Sequence, residues 1–552
     1  MQSPVLAIIL CTSLLLSACS GVQSVHTPAM VTATTTLQQR PFSAQTEPCQ
    51  ATFERHQTDH YTQSSAVGSY VYTSNGSGLA IGDLNDDGLP DIALGNLAGT
   101  VSVLINQGHW QFTTIPTTLD DVRALAIVDT DGNGTRELVA TRRMSRPVIG
   151  SFAGSSISFV PMPDVYTAFY TMGWHDLNDD GLLDVVLATY DTEQLQQQGL
   201  IFTQRGGGGV FVYYRTTDGH YQGERLNHGA DALAIAFPDI NGDRVADIMV
   251  GNDFNRPDGV WLRHAQDWQA VAPFQQTTEN TMGLDVADID NDGIAEIFAT
   301  DMKPYQRDVA TMAQWLPAMA RLTRPLSADD PQYPENTLQR WDGQAWRNVA
   351  YDLEIDASGW SWSGKFGDLD NDGWSDLYVV NGMIAKDMLD YLPDNELKEA
   401  DMLFQNQQGR RFTPVDWGLS NTGSGRAMSM ADLDDDGDLD VVVNPLDGYA
   451  QLYENRNCAS NRVSVTLVDE TSPNGDAIGA TVTLERDDQI LVRSVKAISG
   501  YLSGDLHTVH FGVGADQSIT KLVVTWPDGS VSTHTNLPVN AHIEIHKTED
   551  VP

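Results

Sequence analysis

The stretch Gly367–Gly382, "GDLDNDGWSDLYVVNG", crowds Asp368, Asp370, Asp372 and Asp376 into nine residues and then turns abruptly apolar. Alternating carboxylates around a glycine, followed by a β-prone run, describe a tight loop opening onto a strand. The pattern returns six times: "DLNDDGLPD" from Asp83, "DTDGNGTRE" from Asp129, "DLNDDGLLD" from Asp176, "DINGDRVAD" from Asp239, "DIDNDGIAE" from Asp288 and "DLDDDGDLD" from Asp432. Start-to-start spacings are 46, 47, 63, 49, 80 and 64 residues. A period in the forties, lengthened where sequence is inserted, marks a repeat architecture.

Each copy follows a small apolar run, such as "GLAIG" or "ALAIAF", and precedes another, such as "DIALGN", "DVVLAT" or "DIMVGN". Such pairs read as hairpins. A series of them reads as an all-β propeller, because one four-stranded blade cannot bury both faces alone.

The loops carry the chemistry. A hard cation such as Ca²⁺ takes six to eight oxygens in a flexible cage. Side chains at positions 1, 3, 5 and 9 supply them, position 6 glycine allows the turn, and position 7 offers its carbonyl. The ligands are Asp83, Asn85, Asp87 and Asp91 in the first loop, and Asp129, Asp131, Asn133 and Glu137 in the second. The third and fourth offer Asp176, Asn178, Asp180 and Asp184, then Asp239, Asn241, Asp243 and Asp247. The fifth offers Asp288, Asp290, Asp292 and Glu296, and the sixth Asp368, Asp370, Asp372 and Asp376. The seventh offers Asp432, Asp434, Asp436 and Asp440. Up to seven Ca²⁺ ions are therefore expected. An EF-hand would need Glu at position 12 and a following helix; position 12 is Leu94, Ala140, Leu187, Val250, Ala299, Val379 or Val443, so that reading fails. The loops at 129 and 239 are expected to bind weakest, with Asn133 and Arg136 in one and Arg244 in place of glycine in the other. Seven similar copies speak against catalysis, since an active site is usually built once, and no catalytic residue is assigned.

The formal charge of −42 excludes nucleic acid as a partner. The nine-residue loops hold 28 of the 74 Asp and Glu residues, so much of that acidity is local. The N-terminus, "MQSPVLAIILCTSLLLSACSG", has an apolar run from Pro4 to Leu16 too short to span a bilayer, and reads as a secretory signal. Its end, Leu16-Ser17-Ala18-Cys19, resembles a bacterial lipobox, which implies a signal over 1–18 and a lipid on Cys19. Residues 19–48, rich in Thr, Ser, Gln and Ala, read as a flexible tether. Cys49 and Cys458 then remain as an even pair in an oxidising compartment.

The repeats resemble FG-GAP-type repeats, the calcium-loop blades of integrin α-subunit heads. "GWSWSGKFGDLDNDGWSDLYVVNG" and "GLDVADIDNDGIAEIFATD" are similar to the cartilage-acidic-protein-like family, whose bacterial members carry such FG-GAP/VCBS repeats. "PNGDAIGATVTLE", "SGYLSGDLHTVHFGVG" and "VVTWPDGS" resemble the ASPIC/UnbV domain that closes such proteins. The resemblance implies a seven-bladed propeller over 49–458 and a small β domain over 459–548. Propellers commonly close by pairing an N-terminal strand with the last blade, which would bring Cys49 and Cys458 together as a disulfide.

All seven loops should lie on one face of the ring, and the three longest insertions on the opposite face. In one insertion Val309, Met312, Leu316, Met319 and Leu322 recur at helical spacing. Arg123, Tyr170, Asp231, Asp285, Trp360, Trp362 and Arg426, near the starts of incoming strands, would ring a channel mouth as a ligand face. The expected function is a calcium-stabilised, lipid-anchored extracytoplasmic binding module for an extracellular protein or glycan, touching the cell envelope only through its anchor, with the outer membrane favoured. The alternative is a polysaccharide-active enzyme (lyase, hydrolase or dehydratase) using that face. The two differ in whether the mouth holds a titratable group beside Arg123 or Arg426.

Overall fold

The computed structural model describes residues 31–43, 49–64, 71–199, 201–202, 207–254, 256–265, 267–322, 330–457, 460–486 and 489–549. Strand makes up 49% of it and helix 6%, so the fold class is all-β as expected.

Each Asp-rich loop joins the first two antiparallel strands of a separate sheet. The loop at 83 connects Leu79–Gly82 to Asp91–Leu94, and the loop at 368 connects Gly359–Gly367 to Asp376–Asn381. Register is repeated: the residue before each loop faces position 9, as in Gly82↔Asp91, Val128↔Glu137, His175↔Asp184, Ala287↔Glu296, Gly367↔Asp376 and Ala431↔Asp440. Third and fourth strands follow in order, so the sheets run first-second-third-fourth from inside out. The innermost strands are almost wholly buried because small and branched apolar residues (Leu79, Ala80, Ile81; Ala232, Leu233, Ala234) pack between neighbouring sheets.

The ring closes on itself. Innermost strands touch in chain order, and Ser424–Ala431 in the last sheet returns to Leu79–Gly82 in the first. The last sheet takes its outer strand from the other end of the chain: Phe53–Thr62 pairs antiparallel with Gly448–Asn455 in register Phe53↔Asn455. Gln50 N donates to Arg456 O at 2.8 Å just beyond. Cys49 is disulfide-bonded; its expected partner, Cys458, lies outside the described residues, as do the signal segment and Cys19.

After the ring come two further four-stranded sheets. One orders Gln489–Ser494, Thr481–Arg486, Ser518–Thr525 and Val531–Pro538. The other orders Thr35–Pro41, Ala541–Lys547, Asn461–Asp469 and Thr508–Gly514. The expected tether is thus corrected over part of its length: Thr35–Pro41 is a strand paired with Ala541–Lys547, with Leu37 opposite Ile545. Its Thr and Gln content suits a strand with one face exposed, a pattern too short to stand out beside the polar residues around it.

Two helices belong to the insertions. Helix α1, Asp191–Gln198, follows the second strand of the third sheet, and helix α2, Val309–Leu322, follows the second strand of the fifth. The α2 stripe is shifted from the expected one. Trp315 and Ala318 are its buried residues, flanked by half-buried Met312, Met319 and Leu322, whereas Val309 and Leu316 are exposed. Among the described residues no helix is long and apolar enough to cross a membrane.

Candidate cation loops and the filled channel

The seven loops share one hydrogen-bond pattern that follows from their residue order. The position 1 carboxylate accepts the amides of positions 5 and 6, as Asp368 does from Asp372 N at 3.1 Å and Gly373 N at 2.8 Å. The position 5 carboxylate accepts the amide of position 7, as Asp372 does from Trp374 N at 2.9 Å. Position 9 has a different task from closing a shell alone. One oxygen of Asp376 accepts Leu369 N at 3.2 Å and the other accepts Asn406 N from the third strand at 2.9 Å. Asp91, Asp184, Asp247 and Asp440 make the same two bonds, so position 9 also pins loop to sheet.

Two positions of each loop turn left-handed. Position 6 has φ between +82° and +97° at Gly88, Gly134, Gly181, Gly293, Gly373 and Gly437, and Arg244 adopts +68° in the fourth loop. Position 4 is also left-handed, at Asp86, Gly132, Asp179, Gly242, Asn291, Asn371 and Asp435. That explains why only Asp, Asn and Gly occur there. Position 4 side chains reach away from their own loops. Asn291 Nδ2 donates to Gly373 O at 3.1 Å, Asn371 Nδ2 to Asp438 at 2.7 Å, and Asp179 pairs with Arg263 of the fourth sheet. These inter-sheet links were missed from sequence; the recurring Asp, Asn or Gly at position 4 was their signal.

Four loops bring three carboxylates to within 4.8 Å of one another: Asp129, Asp131 and Glu137; Asp288, Asp290 and Glu296; Asp368, Asp370 and Asp372; and Asp432, Asp434 and Asp440. The loop at 129, expected among the weakest, is one of them. In the loops at 83, 176 and 239, position 3 is asparagine. Asn85, Asn178 and Asn241 each donate to position 5 at 2.8 to 3.0 Å.

A cation fits the first group. Asp434 Oδ2 accepts Trp110 Nε1 at 3.0 Å and Asp290 Oδ2 pairs with Arg340 at 3.1 Å, while the Oδ1 of each is buried with no hydrogen-bond partner. Buried oxygens are rarely left bare unless something binds them. Burial, reinforced by neighbouring carboxylates, also pushes these acids toward their neutral forms. Asp288 rises to about 7, Glu296 and Asp368 to about 8, and Asp376, Asp432 and Asp440 well above the carboxylate range. A divalent cation would supply the missing charge.

The post-ring domain sits on the loop face. Gly512 N donates to Asp368 Oδ2 at 3.1 Å, Arg462 pairs with Asp438 at 3.1 Å, and Arg136 in the second loop pairs with Asp476 at 2.6 Å. Arg493 is half-buried beside Asp288 and Asp368. The fourth loop stays open, with Asp239 exposed.

From this domain a hairpin enters the channel. Ile498–Ser499 pairs with Ser503–Gly504, which runs parallel to Leu79–Ala80. Gly500 (φ +66°) exchanges both backbone hydrogen bonds with Leu284, and a Cβ there would collide with Ser363 Oγ. Tyr501 sits at its turn: its hydroxyl donates to Asn75 O and accepts from Tyr170, both at 2.7 Å, and its ring lies 5.2 Å from Trp362. Behind it Asp505 is held by Lys365, Ser429 and Ser499.

The expected ligand face is therefore corrected. Arg123, Tyr170, Asp231, Asp285, Trp360, Trp362 and Arg426 are all at most 5% exposed. Arg123 is ion-paired with Glu193 of α1, neither side chain reaching solvent. Arg426 donates to Ser74 O, Gly382 O and Gly425 O at 2.7 to 3.0 Å and lies 4.0 Å over the Trp362 ring. Trp360 packs on Trp315 of α2, and half-buried Glu399 accepts both Trp360 N and Trp315 Nε1. Asp231 accepts Thr192 N and Arg256 Nε, while Asp285 lies near the loop side and holds Lys496 at 2.6 Å. Burial raises Tyr170 to about 12 and Tyr501 well above the usual phenol range, but neither reaches an open mouth. Protein fills the space that a ligand would need.

Family models match this chain in two places: an FG-GAP-like repeat at residues 83–140 and 239–299, and ASPIC and UnbV at residues 470–552. Cartilage acidic protein 1 of Xenopus tropicalis is 30% identical over 115 residues, 20% of this chain and 18% of that protein. Among solved structures, an Agrocybe aegerita lectin specific for non-reducing terminal N-acetylglucosamine matches 61% of this chain and 78% of its own, at 14% identity and TM-score 0.37. The extracellular domain of a hybrid two-component system from B. thetaiotaomicron matches 89% of this chain and 57% of its own, at 7% identity and TM-score 0.41. At those TM-scores neither likeness bears on what this chain binds. The chain carries FG-GAP-like repeats and ends in an ASPIC and UnbV domain.

Proposed function

We propose that this chain is a calcium-stabilised, seven-bladed β-propeller over residues 49–458, locked by its 459–548 domain, that works outside the cytoplasm as a binding or scaffold module. The observation that carries the reading is the convergence of three carboxylates in each of four loops, with bare buried oxygens on Asp290 and Asp434. Calcium suits these cages better than magnesium, which resists exchanging its waters for protein oxygens. Seven sheets in a closed ring, sealed by Phe53–Thr62 in the last, support the blade count. A Cys49–Cys458 bond would secure that seal, and a lipid on Cys19 would hold the module at the cell envelope.

The enzyme reading gains no support, because the residues it requires are buried under Tyr501, α1 and α2. Elemental analysis of the purified protein, with thermal melts before and after chelation, tests the proposal. Several calcium ions per chain and a large drop in melting temperature on chelation are expected. A calcium-free protein with an unchanged melt would sink it.

A further inference from the structure

With the channel filled, the open clefts lie elsewhere. One of about 420 Å³ lies between the third and fourth sheets, and no residue of the 459–548 domain lines it. That volume is in the range of small-molecule sites. Its wall is aromatic. Half-buried Trp268 and Tyr214 both line it, and Trp268 Nε1 donates to Tyr214 OH at 2.8 Å. Tyr214 OH in turn faces Glu224 Oε2 at 3.3 Å. The indole therefore spends its one N–H within the protein, which fixes the ring and leaves an apolar surface.

The rim is polar and planar. Gln222 is exposed, and its side-chain amide makes no hydrogen bond among the described residues. Arg263 is largely buried and paired with Asp179, leaving other guanidinium N–H groups. Asn178 and Asp180 complete the rim from the third cation loop.

We infer that this cleft binds a neutral saccharide. A pyranose offers a C–H face to a fixed aromatic ring and a rim of hydroxyls to amide, guanidinium and carboxylate groups, and both complements are present. A charged sugar fits less well: of the two cations in the lining, Arg263 already belongs to Asp179 and buried Arg215 lies 4.9 Å over the Tyr221 ring. This site rests on the binding-module reading; a cation in the third loop would engage Asn178 and Asp180, leaving the aromatic wall, Gln222 and Arg263 to carry recognition.

The test uses the full folded chain in calcium, with glucose, galactose, mannose, N-acetylglucosamine, cellobiose, lactose and glucuronate as probes, read by tryptophan fluorescence and calorimetry. At least one neutral sugar is expected to bind saturably. Gln222→Ala, an exposed change, should weaken it about fivefold to tenfold, as one lost hydrogen bond would. Trp268→Ala should abolish binding. Calcium content and melting temperature of Gln222→Ala should stay at wild-type values. No binding by any neutral probe, equal binding of glucuronate, or binding unchanged in both variants would overturn the inference. Each of those results leaves the calcium reading standing, since chelation melts judge that separately.

Discussion

Arg244 shows how tightly backbone conformation governs these loops. Six loops place glycine at position 6, whereas Arg244 adopts φ +68° itself, a left-handed conformation that costs an L-residue about 1–2 kcal/mol. Gly242, two residues earlier, fills the left-handed position 4 that every loop has, so Arg244 must make the position 6 turn itself. Arg244→Gly should raise stability by about 1 kcal/mol in chemical denaturation. A destabilised variant would mean that the Arg244 side chain makes a contact outweighing the strain. The buried carboxyls supply a second prediction. Asp91, Asp184, Asp288, Glu296 and Asp368 have folded pKa values raised to about 7 or 8 by burial. Acids raised on folding bind protons in the folded state, so their stabilisation is complete below the unfolded pKa of about 4 and is lost as pH rises through 7 to 8. The cation-free protein should thus weaken between pH 5 and pH 8. The melting-temperature gain on adding calcium should grow over the same interval, and a gain that shrinks with rising pH would contradict this assignment.

Two elements turn the ring into a sealed body. The hairpin Ile498–Gly504 supplies Tyr501, buried among Tyr170, Trp362 and Asn75. Removing that ring leaves a cavity that the strands around it cannot collapse, so Tyr501→Ala should cost about 3–5 kcal/mol. Tyr501→Phe keeps the packing but removes the hydroxyl that Tyr170 donates to, and should cost about 1–2 kcal/mol. Equal losses in the two variants would mean that packing is not what the hairpin contributes. Helix α2 was legible as a helix, since Met312, Met319 and Leu322 do face the protein, but its anchor was not. Trp315 is the residue that packs on Trp360 and reaches Glu399. A tryptophan one position from the expected stripe can still be the best-buried residue of a helix, because a large side chain sweeps a wide arc. Hydrogen exchange should show the helix opening independently of the ring in Trp315→Ala.

At the scale of the whole molecule, contacts between the ring and the domain that follows it should make the two unfold as one cooperative unit. The domain after the ring covers loops on the ring's face, contributes Arg462, Arg486 and Arg493 to that acidic surface, and threads Tyr501 into the channel. Heating should therefore give one calorimetric transition that chelation moves as a whole, and two separated transitions would show that the domains unfold apart. The ring and its seven loops were readable in the sequence, because local periodicity and left-handed turns are properties of a few adjacent residues, whereas the N-terminal closing strand followed only from the propeller resemblance. So were the residue types of the loops and much of their carboxylate geometry. The fate of Arg123, Tyr170, Trp362 and Arg426 was not, because it depends on Tyr501, which lies more than seventy residues beyond the nearest of them and reaches the channel only once the second domain docks. The strand at Thr35–Pro41 was hidden likewise, since its partner Ala541–Lys547 lies at the other end of the chain. Sequence alone determined the repeat, the hairpins and the cation-ready loops, all fixed by short-range sterics and charge. Only the tertiary structure decided that the channel is filled and the loop face partly covered, because burial there is set by contacts between segments that no local pattern connects.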